Sequence, residues 1–127
     1  MSRFLFDTSV FLWWLESDRP RLRGEVTEQI SDASNQVFVS VVNAWEISIK
    51  ISVGKLRMTD KVSDLVEHYG FELLPVTLPH AMAIEHLPLH HRDPFDRMLI
   101  AQARVEGLTL ITTDPNMRRY DVPILPS

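Results

Sequence analysis

The chain has 127 residues, 45% apolar and 24% charged, a composition suited to one compact domain and not to a disordered segment. It lacks cysteine, which excludes disulfides, thiolate nucleophiles and cysteine-held zinc. Thirteen Lys and Arg against 17 Asp and Glu leave a net charge of -4, which excludes coating of nucleic acid through bulk positive charge but not contact through a local basic patch. The longest apolar run, Val10 to Leu15, is too short to span a bilayer, and Asp7 interrupts the stretch that a secretory leader needs. A cytoplasmic location without membrane contact is the expectation.

Strands and helices alternate along the chain. Arg3 to Phe6 reads as a buried first strand, and Thr8 to Glu16 as a helix ending at the Asp18-Arg19-Pro20 turn. A second helix is expected over Leu22 to Ala33, and a second strand over Gln36 to Val39. Ser40 caps a helix from Val41 to Val53, with Gly54 just past its end. Thr59 or Asp60 starts a helix running to Tyr69, which Gly70 closes. Phe71 to Val76 reads as a strand and Pro79 to Leu87 as a helix. Asp93-Pro94 is a strong helix start, and that helix runs to Glu106 before Gly107. Leu108 to Thr112 is the last firm strand, with Val122 to Leu125 as an edge strand. Apolar strands separated by amphipathic helices predict an α/β fold, a three-layer α/β/α sandwich around a central parallel sheet.

In such a sheet, ligands bind beyond the carboxyl ends of the strands. Asp7 and Asp114 fall there, each directly after an apolar strand. Either one alone also suits a helix cap; a pair at one edge is more informative. Glu46 lies four residues after Val42 and three before Ile49, beside a stripe of Val42, Trp45, Ile49 and Val53 that reads as core-facing. It sits too deep for a cap, and glutamate is seldom buried without a partner, so a functional carboxylate is preferred over a salt-bridged one. Asp96 heads the inward stripe Leu99, Ile100 and Ala103. Its rival role is to favour the helix dipole, three residues after a cap at Asp93. Bringing Asp7, Glu46, Asp96 and Asp114 to one edge demands protons, a base or a cation. No histidine stands at metal-ligand spacing among them, so an oxygen-bound hard ion, Mg²⁺ or Mn²⁺, is the expected guest. Such an ion holds phosphate oxygens well.

Other residues are less decisive. Val10 to Leu15 is apolar around the whole helix, so Trp13 and Trp14 cannot both face one core and are candidates for partner binding. Arg19, Arg21 and Arg23 make a basic cluster, either a solvated turn or a contact for RNA or protein. Lys50 follows Glu46 at ion-pair spacing, and Arg97 reads as a surface charge. His86, His90 and His91 lack fixed ligand spacing, so they read as exposed or substrate-facing and not as a zinc site.

Three segments together, FLFDTSVFLWWL, SVVNAWEISIKISVGKL and HHRDPFDRMLIAQARVEGLTLITTD, resemble the PIN-domain ribonucleases and, within them, the VapC-like toxins of toxin–antitoxin pairs. The resemblance implies a metal-dependent endoribonuclease whose acids map onto Asp7, Glu46, Asp96 and Asp114, leaving a 3′-hydroxyl and a 5′-phosphate. Asp93 is then a supporting candidate, and Ser9, Asn43 and Thr112 would orient water or the ligating carboxylates. A homodimer and a cognate antitoxin whose tail blocks the site are also implied. The competing reading is a catalytically silent module of the same fold that binds RNA or a protein.

Overall fold

The computed structural model describes residues 1–127. Five strands form one all-parallel sheet: β1 (Arg3–Phe6), β2 (Gln36–Ser40), β3 (Glu72–Leu74), β4 (Thr109–Thr112) and β5 (Ile124–Pro126). Their order across the sheet is β3-β2-β1-β4-β5. The helices are α1 (Thr8–Trp14), α2 (Gly24–Ser31), α3 (Val41–Ser52), α4 (Val62–Tyr69), α5 (Leu78–Ala83) and α6 (Pro94–Glu106). Single 3-10 turns follow α5 at Ile84–His86 and β4 at Met117–Arg119. None of the helices is long and apolar enough to cross a membrane.

Side chains alternate across each strand, and this sorts the core into two layers. Phe4, Phe6, Val37, Val39 and Ile111 face α1 and α2, meeting Val10, Phe11, Trp14, Val26 and Ile30. Leu5, Phe38 and Leu110 face the other way, toward Leu99, Ile100, Ala103 and Met117. Each fully buried Leu or Phe contributes about 1.5–3 kcal/mol, so the central strands β1 and β4 anchor both layers at once. This is the expected three-layer α/β/α arrangement.

Local chemistry sets the helix ends. Asp93 Oδ1 accepts the Asp96 N–H at 3.0 Å, Pro94 opens α6, and Gly107 closes it at φ 67°, where a side chain would be strained. Ser40 Oγ accepts the Val42 N–H, while Asn43 Oδ1 accepts the Ser40 N–H at 2.7 Å. Elsewhere most expected ends shift by a residue or two, and α5 gives way to the 3-10 turn four residues before the expected end at Leu87. Lys61, not Thr59 or Asp60, stands before α4, and Pro75 stops β3 after Leu74.

One expectation about a face is corrected. Trp45, Ile49 and Val53 are exposed, at 59%, 40% and 61%. The buried face of α3 is Val42, Asn43 and Ile47. Val42 joins one core layer and Ile47 the other, because α3 packs against both α1 and α6 and so crosses the strand ends instead of lying flat on the sheet. The crossing turns the apolar stripe outward and carries Glu46 over the end of β1.

Candidate active site

The chain winds from β1 through β2 to β3, then returns to lay β4 on the other side of β1. The strand order therefore reverses between β1 and β4, and a crevice opens there at the carboxyl edge. Asp7 leaves β1 at this point, its N–H donating to Ile111 O at 3.0 Å. Its side chain is 7% exposed and, contrary to the capping alternative, caps nothing in α1. Instead Asp7 Oδ2 accepts the Thr112 hydroxyl at 2.7 Å, and Thr112 Oγ1 in turn accepts the Asp114 N–H at 3.0 Å. Asp114 Oδ1 accepts the Asn116 N–H at 2.8 Å, holding the turn after β4.

Asn43 ties α3 to the same edge. Its Nδ2 donates to Phe6 O at 3.1 Å and to Thr8 Oγ1 at 2.9 Å. Glu46 follows one turn later. Its Oε2 lies 3.7 Å from Lys50 Nζ, the ion pair that the spacing predicted, while its Oε1 is buried without a hydrogen-bond partner. Asp96 enters from the first turn of α6, with Oδ2 at 2.7 Å from His91 Nε2. The same His91 nitrogen lies 3.3 Å from Asp114 Oδ2. Donor atoms of His91, Asp96 and Asp114 all fall within 4.8 Å of one another, close enough to share a metal ion.

The four carboxylates feel one another. Burial pushes the Asp7 carboxyl above its ordinary range; the Thr112 hydrogen bond opposes this, and the charges of Glu46 and Asp114 add to it. Asp96 is pushed up to about 7, first by burial and then by Asp7 and Asp93, against the pull of His91. Asp93 thus acts twice, as the cap of α6 and as a charge behind Asp96.

A family model described as the PIN domain matches residues 4–123. The chain belongs to the PIN domain family. Comparison by sequence with curated proteins finds no match. Solved structures share the fold of this PIN domain. VapBC2 from Rickettsia felis, bound to a DNA fragment from its promoter, has TM-score 0.70 at 11% identity, covering 98% of each chain. DNA-bound VapBC from Salmonella typhimurium gives TM-score 0.67 at 16% identity, covering 99% of this chain and 98% of that one. FitAcB from Neisseria gonorrhoeae gives TM-score 0.61 at 21% identity, covering 96% of each.

Not every expected residue of the PIN domain joins the cluster. Ser9 lines a groove along α1 with Leu12, Trp13 and Leu56 and makes no side-chain hydrogen bond to the acids. Trp14 is corrected as a partner-binding candidate. It is 5% exposed and packs edge-on to Tyr69, and Arg19 lies 3.7 Å above its ring. Arg19, at φ 44° after Asp18 at φ 58°, folds back to donate to Trp14 O, so this arginine braces the core and is not a free contact. Trp13 stays half-exposed in the α1 groove, with Arg21 at 6.0 Å from its ring centre.

His91 is the residue that sequence reasoning missed. No ligand spacing in the sequence singles it out, yet the loop before α6 folds His91 onto Asp96 and Asp114. Arg97 is not the surface charge that its place on the helix suggests. Its guanidinium donates to Pro88 O, His91 O, Ile84 O and the Tyr120 hydroxyl.

Proposed function

We propose that this PIN domain is a metal-dependent endoribonuclease and the toxin of a toxin–antitoxin pair. One observation carries the reading: four carboxylates converge on the switch crevice, two of them resisting ionisation, with a buried oxygen of Glu46 left unpartnered. Two carboxylates about 4 Å apart repel by roughly 4 kcal/mol at an effective dielectric of 20. A divalent cation relieves that repulsion and partners the orphaned oxygen.

The donor set fits such an ion. Asp7, Glu46, Asp96 and Asp114 would hold it, and their hard oxygens favour Mg²⁺ or Mn²⁺. When bound, the ion supplies charge stabilisation at a phosphate oxygen and makes a bound water more acidic. The chain's own residues supply order. Thr112 locks the Asp7 carboxylate from behind, Asn43 fixes α3 over the end of β1, and Lys50 engages the outer oxygen of Glu46. Catalytic carboxylates held in this way need little rearrangement on binding RNA.

The likeness to the VapBC and FitAcB structures supports a cognate antitoxin as partner. A homodimer is supported by a groove of about 500 Å³ between α3 and α6, lined by Trp45, Phe95, Met98, Ile84 and Val76. The test of the activity is RNA cleavage with Mn²⁺ or Mg²⁺, with and without chelator. Cleavage is expected to need the ion and to vanish in Asp7→Asn and Glu46→Gln. Undiminished cleavage by either variant refutes the site, and metal-independent RNA binding without turnover supports the silent-module reading.

A further inference from the structure

We infer that His91 is a positioning residue of the acid cluster, a hydrogen-bond donor clamped in place by Arg97 and Tyr120 so that Asp96 and Asp114 turn their remaining lone pairs to the cation. The inference rests on the metal-site reading above and adds a residue to it.

The clamp is built on the backbone of His91. The Tyr120 hydroxyl oxygen lies 3.1 Å from His90 N and 3.0 Å from His91 N, and both amides donate to it. Arg97 Nη1 reaches the same hydroxyl at 3.2 Å and His91 O at 3.4 Å. The His91 peptide groups are therefore held at both ends. Tyr120 is itself 4% exposed, so the anchor is part of the core and not a surface contact.

The ring is held as well. Its Nδ1 accepts the Arg92 N–H at 3.1 Å, which leaves Nε2 as the nitrogen that donates. The donated proton points at Asp96 Oδ2, 2.7 Å away, with Asp114 Oδ2 at 3.3 Å. A nitrogen that carries a proton has no lone pair for a metal. The geometry therefore makes His91 a donor to the ligating carboxylates and not a ligand. Donors of this kind fix carboxylate rotamers, and losing one typically weakens metal binding about 10–100-fold.

The experiment measures Mn²⁺ binding by the full chain, from the paramagnetic resonance of free Mn²⁺, beside thermal unfolding in chelator. His91→Phe keeps a ring without the donor; it is expected to weaken binding about 10–100-fold without lowering the unfolding temperature. His91→Gln supplies an amide N–H and is expected to recover binding to within about threefold of wild type. Tyr120→Phe should weaken binding too, and should add little to His91→Phe because both act through one histidine. Wild-type binding in His91→Phe overturns the inference. So does loss in both His91 variants together with nitrogen hyperfine coupling in the wild-type Mn²⁺ spectrum, which would make His91 a direct ligand. Failure of the metal reading looks different: wild type and Asp96→Asn would then both leave all Mn²⁺ free.

Discussion

Replacing Asp96 with asparagine should stabilise the metal-free chain at pH 8 while destroying its response to metal. The folded protein holds the Asp96 proton to about 7, against an ordinary carboxyl value of 3.8, because burial, Asp7 and Asp93 all oppose its charge. The sign follows from proton counting. Between these two values the folded state binds more protons than the unfolded one, so this group's contribution to stability falls as pH rises through the window. Above pH 7 the whole cost is present; at pH 5 about a third of it is. Raising the carboxyl from 3.8 to about 7 corresponds to about 4 kcal/mol when fully counted. Water reaches the rim of the site, where the Asp96 side chain is 14% exposed, and screening reduces this to about 1–2 kcal/mol.

Asparagine keeps the shape and can still accept from His91, but carries no charge. For a chain of this size the gain is about 4–8 °C in unfolding temperature at pH 8. The assay is thermal unfolding followed by circular dichroism, in chelator, at pH 8 and pH 5. Adding Mg²⁺ or Mn²⁺ at pH 8 should then raise the wild type and leave Asp96→Asn where it is. Equal gains at both pH values, or an Asp96→Asn chain less stable than wild type at pH 8, would refute the electrostatic account.

Two further outcomes test the frame around the site. Asn43→Ala strips Phe6 O, Thr8 Oγ1 and the Ser40 N–H of their partner in a fully buried place, and should cost about 2–3 kcal/mol in urea unfolding with the slope unchanged. Trp45→Arg places a charge in the outward α3–α6 groove. It should shift the chain toward monomer in sedimentation, while the unfolding temperature of the monomer changes little because Trp45 is mostly exposed.

The parts of the fold written in local chemistry were legible without coordinates. Phe4 to Phe6 and Leu108 to Thr112 are too apolar to be anything but central strands, and Asp93, Pro94 and Gly107 mark both ends of α6. The four acids were legible for a similar reason, since Asp7 and Asp114 follow buried strands and Asp96 heads a buried stripe. Glu46 lies near enough to raise the Asp7 carboxyl, although the stripe of Trp45, Ile49 and Val53 beside it is exposed. Helical spacing says which residues share a face, but α3 has two apolar faces, and only its crossing of the strand ends decides which is covered. His91 had no local signal at all. It is placed by Tyr120, 29 residues away, through a hydroxyl that accepts its amide. Trp13 and Trp14 show the same limit, for neighbouring tryptophans look alike until Tyr69 and Arg19 close over one of them.

The hydrogen bond from Thr112 to Asp7 joins residues 105 positions apart, across strands that pair at the centre of the sheet. A chain that ends before β4 lacks one of the two neighbours of β1, the hydroxyl that orders Asp7 and the carboxylate of Asp114. A partly synthesised chain on the ribosome therefore carries Asp7 but no finished site. Joining the first strand to the fourth is a long-range closure, the slow kind in folding. Whatever chemistry the crevice supports must therefore wait until the last strands have emerged.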